Sequence, residues 1–169
     1  TEKTILDNLR RTRAGKTTLL IAHRISTVQT LDKIIFIEDG KVIGVGHHDV
    51  LYETLPAYRK MVELQKLEEV ALEGRKASFT HTLDAFLFCC YTGLRYSDFV
   101  NLSEENVVHK DGKPWLMFTS VKTGTEVNLP LALLFEGKAW KLLQKYKNRW
   151  NDFFKLKANS HVNRILTRI

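Results

Sequence analysis

The chain has 169 residues, 44% of them hydrophobic, and a net charge of +7, a balance that suits a globular protein of one domain or two small ones. No apolar run approaches membrane-spanning length and no secretory leader is visible, so a cytoplasmic protein is expected and membrane insertion is not. The charge is uneven: residues 1–74 hold 11 Lys/Arg against 11 Asp/Glu, and residues 75–169 hold 15 against 8, which points to a polyanion such as nucleic acid as partner of the second part.

In chain order, "TEKTILDNLRRTR" over Thr1–Arg13 puts Ile5, Leu6 and Leu9 on one helical face, with Gly15 placed to stop the helix. The chain starts at Thr1 rather than Met, so a fragment or a trimmed chain is expected. Gly15-Lys16-Thr17 looks like the end of a phosphate-binding loop, Gly-x-x-x-x-Gly-Lys-Ser/Thr, but Arg10 stands where the first glycine belongs. The order of elements is also reversed. "TTLLIAH" reads as a buried strand over Thr17–His23, so this loop leads from helix to strand, whereas a phosphate loop leads from strand to helix. Lys16 and Thr17 are therefore not expected to bind nucleotide. Ser26–Leu31 reads as a short helix, and Lys33–Glu38 with Lys41–Val45 as a hairpin about Asp39-Gly40. Residues 47–69 read as helix interrupted near Pro56, with Tyr58, Met61, Val62 and Leu67 at helical spacing.

Glu68–Thr82, with its charges, Gly74 and Ser/Thr, is the best linker candidate, and beyond it the pattern restarts. Leu83–Tyr91 is an apolar helix ending at Gly93, and "LRYSDFVNLSEENVV" continues as a turn and a short helix. Strands Trp115–Ser120 and Glu126–Leu129 flank the turn Lys122-Thr123-Gly124. Lys138–Tyr146 is amphipathic through Ala139, Leu142, Leu143 and Tyr146, and "NSHVNRILTRI" reads as another helix. Cys89 and Cys90 are adjacent in an apolar segment and read as buried free thiols suited to a reducing compartment. His47, His48 and Asp49 sit too close together in one turn to converge on an ion, so no metal is expected and Asp49 reads as a helix-start residue.

His23 falls at the C-terminal end of the expected strand, followed by Arg24 and Ser26. Ligands bind at such ends in α/β sheets, and an imidazole there could donate to a phosphate oxygen; spacing alone favours a structural histidine. "KTTLLIAHRISTVQTLDKIIFIEDGKVIGVGHHDVL" resembles the end of the nucleotide-binding domain of ABC exporters. It carries the switch-histidine strand, the "IAHR-x-ST" box, the "D-x-I-x-x-x-x-x-G" hairpin and the "G-x-H-x-x-L" helix start. The resemblance covers residues 1–69. It implies that His23 contacts the ATP γ-phosphate and helps position the attacking water, with ATP and Mg²⁺ as the family's cofactors. The family's P-loop, Q-loop, signature motif and Mg²⁺-holding carboxylates have no match in these residues. Phosphoryl transfer depends on them, so ATP and Mg²⁺ are not expected to bind here.

Arg95 and Lys122 could both meet a phosphodiester, Arg as a bidentate fork and Lys as a point charge or proton donor, although spacing alone leaves them as solvated charges. "FLFCCYTGLRYSDFVNL", followed by "FTSVKTGTEVNLPL", resembles the catalytic domain of tyrosine recombinases, the phage-integrase family and its Bacteroides-type members, over residues 78–169. The resemblance implies that Arg95 holds the scissile phosphate, Asp98 supports the site and Lys122 helps protonate the leaving 5′-oxygen, with no cofactor. His161-Val162-Asn163-Arg164 spells H-x-x-R but lacks the run that follows it in the family, and falls in the preceding helix. No tyrosine after Lys122 fits the nucleophile, Tyr146 being an amphipathic helix position, so covalent catalysis is not expected.

The expected architecture is α/β plus α+β: a partial ABC ATPase α/β subdomain at 1–69, a junction at 70–77, and a partial, mainly helical recombinase catalytic domain with a small β-hairpin or sheet at 78–169. A gene fusion, a misassembled reading frame or an artificial joining would each give such a chain. The expected function is that of a catalytically incomplete, DNA-binding recombinase fragment; the alternatives are an ABC ATPase fragment and an inactive fusion product. Lys110, Lys113 and the Lys138–Lys157 series would add backbone contacts, giving weak, salt-dependent DNA binding. Self-association through exposed apolar surface is also expected.

Overall fold

The structure, a computed structural model, describes residues 8, 11–13, 15–22, 25–70 and 79–168. His23, Arg24, most of the Thr1–Arg13 helix and most of the linker lie outside the described residues. The chain divides into two compact units, Thr1–Glu69 and Val70–Ile169. Each holds one small antiparallel sheet and several helices.

In the first unit the described elements are α1 (Ile25–Val28), β1 (Ile34–Glu38), β2 (Lys41–Gly46), α2 (His48–Thr54) and α3 (Pro56–Glu68). β1 and β2 form the expected hairpin, from Ile34 opposite Gly46 to Glu38 opposite Lys41. Asp39 and Gly40 at its turn have φ of 48° and 73°, the pair of left-handed residues that a tight two-residue hairpin turn requires. Pro56 opens α3, where its missing N–H costs nothing, so the interruption read at Pro56 is the junction of two helices. Ile25, Ile34, Leu51, Tyr58 and Val62 form the core, with Phe36, Tyr52, Leu55 and Met61 packed against it. Gly44 lets α2 approach the hairpin: a Cβ there would lie 2.8 Å from Leu55 Cδ2.

Thr17–Ala22 is not a strand, contrary to the expectation for Thr17–His23. Leu19 and Ile21 are 83% and 85% exposed. An apolar run becomes a strand only where a ladder partner and a covering layer exist, and among the described residues β1 and β2 pair only with each other. Ile35, Ile37, Val42 and Val45 are exposed for the same reason.

In the second unit α4 (Thr80–Thr92) and α5 (Tyr96–Phe99) precede β3 (Val107–Lys110), β4 (Lys113–Thr119) and β5 (Glu126–Pro130), paired in that order. Then follow α6 (Lys138–Gln144), α7 (Trp150–Phe153) and α8 (Asn159–Leu166), with 3₁₀ turns at Glu104–Asn106 and Leu134–Gly137. α4 ends as expected: Gly93 takes φ 70° and donates its N–H to Cys89 O at 2.8 Å. Phe88, Phe99, Phe153 and Phe154 are fully buried, their ring centroids 5.4–6.2 Å apart in edge-to-face or tilted pairs.

Cys89 and Cys90 are free, as read, but half-buried rather than buried. Desolvation first, then the charge of Cys90, pushes the Cys89 thiol up to about 12 from its ordinary 9.0. The folded chain holds this proton more tightly than the unfolded chain, so its contribution to stability is whole below pH 9.0 and is lost as pH rises towards about 12. Denaturant midpoints are expected to fall across that window, and Cys89→Ala to flatten part of the fall. Identical pH profiles would contradict this.

Candidate functional site

Asp98 lies in the four-residue helix α5 and is buried. Its Oδ1 accepts the Val121 backbone N–H at 2.8 Å, and the Ser120 hydroxyl donates to the carboxylate at 3.3 and 3.4 Å. Ser120 closes the β4–β5 turn, its N–H on Thr125 O at 2.9 Å and its carbonyl accepting Gly124 N–H at 2.8 Å. Gly124 takes φ 65° there. One carboxylate thus joins the short helix to the turn. Arg95 precedes α5, its carbonyl accepting the N–H of Asp98 and Phe99, and its side chain is exposed. Lys122 is exposed one residue beyond Val121. The Asp98 bonds therefore bring together the two elements that carry the expected phosphate contacts. Nothing in the motif spacing displays that link; only the pairing of an acidic residue on one element with a Ser-Val turn on the other could have hinted at it.

Tyr146 lies beyond the end of α6, which corrects its reading as an amphipathic helix position. Its hydroxyl donates to Asp84 Oδ2 at 2.8 Å, and its ring stacks on Phe153 at 4.5 Å. Lys145 Nζ reaches Asp84 Oδ1 at 3.2 Å. Desolvation, the hydrogen bond to Asp84 and that carboxylate's charge raise the Tyr146 pKa, so the phenol keeps its proton at neutral pH. Asp84, buried in the apolar helix α4, escaped the sequence reading; a lone carboxylate inside "LDAFLF" was the available signal.

In the first unit the segment after His23 is held from α3. Gln65 Oε1 accepts the Ile25 N–H at 2.7 Å, and Gln65 Nε2 donates to Ser26 Oγ at 3.1 Å and to Glu69 Oε1 at 2.9 Å. The clamp lies 40 residues from the chain it holds, which is why periodicity does not reveal it. His48 Nδ1 is 2.8 Å from the hydroxyl of the fully buried Tyr58, while His47 faces Asp49 at 3.4 Å, so the two histidines point to different partners. Asp49 sits in the first turn of α2 without capping it; a carboxylate there suits the positive end of the helix dipole.

No family model matches the chain, and no solved structure gives a significant match. Among curated proteins it is similar to the ABC multidrug transporter atrD of Emericella nidulans, 33% identical over 128 residues that make up 75% of this chain and 9% of the transporter. It is also similar to a multidrug resistance ABC transporter ATP-binding and permease protein of Lactococcus lactis, 53% identical over 51 residues, 30% of this chain and 9% of that protein. The ABC transporter ATM1 of Toxoplasma gondii is 41% identical over 70 residues, 41% of this chain and 6% of the relative. The chain thus spans less than a tenth of the length of these relatives. The similarity points to ABC transporters and not to a tyrosine recombinase. The 128-residue span is longer than the first unit, so it takes in part of the second. Among the described residues no helix is long and apolar enough to cross a membrane.

Proposed function

We propose that the first unit works as the C-terminal end of an ABC exporter ATPase domain and presents His23 to the γ-phosphate of a bound nucleotide. The similarity to ABC transporters supports this reading, and the observation that carries it is the Gln65 clamp. Two hydrogen bonds from α3 fix Ile25 and Ser26, two and three residues after His23 in the sequence. A preorganised donor aimed at a phosphate needs that support from behind. These 169 residues contain no Gly-x-x-x-x-Gly-Lys-Ser/Thr loop, so His23 acts only where such a loop and a magnesium ion are supplied. Millimolar ATP added to this chain alone is expected to leave the amide resonances of Gly15–Thr18 unmoved. Specific shifts there would contradict the reading of Lys16 and Thr17.

A second reading concerns the second unit. Arg95 and Lys122 act together on one phosphate of a DNA backbone, in the manner of a tyrosine recombinase that lacks its nucleophile and second arginine. The Asp98 link between α5 and the β4–β5 turn favours it. Binding on this reading is weak and fades with salt, and cleavage does not occur.

A further inference from the structure

The positive charge of the second unit is concentrated in its C-terminal stretch, from the start of α6 onward. Residues 138–168 hold nine Lys/Arg and a single acidic residue, Asp152, whereas residues 75–137 hold six against seven. Lys145 is spent on Asp84. His161 and Arg164, three apart in α8, share one face of that helix; Lys157 precedes the helix in non-helical chain and Arg168 lies two residues past its end. Lys157, Arg164 and Arg168 are exposed, and among the described residues none of the three is paired with a carboxylate. Arg164 donates to His161 Nδ1 at 2.8 Å. Desolvation first, and then the neighbouring charges of Lys157, Arg164 and Arg168, hold the His161 pKa below its ordinary value. The backbone entering α8 is fixed as well: the Tyr96 hydroxyl donates to Lys157 O at 2.6 Å.

We infer that Lys157 ahead of α8, His161 and Arg164 on it and Arg168 just past its end form a track for the phosphate backbone of duplex DNA. It rests on the charge distribution and not on the Arg95–Lys122 pair. At helical rise, His161 to Arg168 spans about 10 Å, and one duplex strand carries a phosphate about every 3.4 Å of axis. The planar forks of two arginines fit phosphate oxygens. A membrane surface fits poorly, because the apolar side of α8 (Val162 and Ile165) is already buried in the protein and cannot enter lipid. A single strand fits poorly too, since α8 has no Phe, Tyr or Trp on which bases could stack.

The test compares the full chain with Lys157→Ala/Arg164→Ala/Arg168→Ala and with a charge-matched control, Lys41→Ala/Lys60→Ala/Lys66→Ala, on a short DNA duplex over a salt series. The track variant is expected to lower the slope of log affinity against log salt by about three and the control to leave it unchanged. A tryptophan emission spectrum identical to that of the parent chain would establish that the variant is folded. Arg95→Ala/Lys122→Ala tests the other reading separately, since it leaves this track intact. Equal slopes for track variant and control would overturn the inference. So would tighter binding to poly-glutamate or to acidic vesicles than to the duplex.

Discussion

Phe153→Ala is expected to destabilise the second unit by about 3–5 kcal/mol, the range for removing a buried aromatic ring from a packed core. Phe153 is fully buried and lies at the centre of the aromatic cluster, with ring centroids 5.6 Å from Phe88, 5.4 Å from Phe99 and 5.4 Å from Phe154. Tyr146 stacks on it, and its carbonyl is 2.9 Å from His81 Nε2. Truncation leaves a cavity that three other rigid rings cannot close. A domain's whole stability is about 5–15 kcal/mol, so much of it would go. Trp115, Trp140 and Trp150 all belong to the second unit, so tryptophan fluorescence in a denaturant series reads that unit alone. A midpoint within error of the parent chain would contradict the packing described.

The second large effect is expected at Asp98. Asp98→Ala removes the acceptor for the Val121 N–H and the Ser120 hydroxyl, leaving part-buried donors without partners, at about 1–3 kcal/mol. Asp98→Asn keeps one acceptor and should cost less. The Val121 amide, bonded to Asp98 in the parent chain, should exchange faster in the alanine variant. If Arg95 and Lys122 share a phosphate, DNA binding should weaken to the level of Arg95→Ala/Lys122→Ala although neither cation has been altered. Unchanged exchange at Val121 would dismiss the link. Unchanged DNA binding would remove the second functional reading and leave the fold untouched.

Local signals carried far in this chain. The hairpin about Asp39-Gly40, the helix start at Pro56 and the left-handed cap at Gly93 are each set by the φ preference of one or two residues, so they are legible from the sequence. What periodicity could not reveal depends on partners distant in the chain. "TTLLIAH" looks like a buried strand, but a strand exists only beside another strand, and Leu19 and Ile21 have none among the described residues. β3 escaped notice because "VVHK" is short and follows a run of polar residues, while its pairing with β4 through the Asp111-Gly112 turn decides it. The candidate sites divide the same way. Arg95, Asp98 and Lys122 are candidates by resemblance alone, and the Asp98–Val121 bond that joins their elements has no signal in the motif spacing. The Gln65 clamp and the Asp84–Tyr146 pair are tertiary contacts with no local signature.

The central claim, that the first unit supplies the γ-phosphate-facing end of an ABC ATPase domain, is tested most directly by a segment exchange. The segment of the Lactococcus lactis transporter that corresponds to residues 1–69 of this chain would be replaced by those residues, and ATP hydrolysis measured. The exchanged transporter is predicted to hydrolyse ATP at a rate within a few-fold of its parent. His23→Ala in the inserted segment is predicted to reduce that rate about a hundredfold while ATP still binds. An exchanged transporter that folds and binds ATP but does not turn it over, or one whose turnover is indifferent to His23→Ala, would contradict the account.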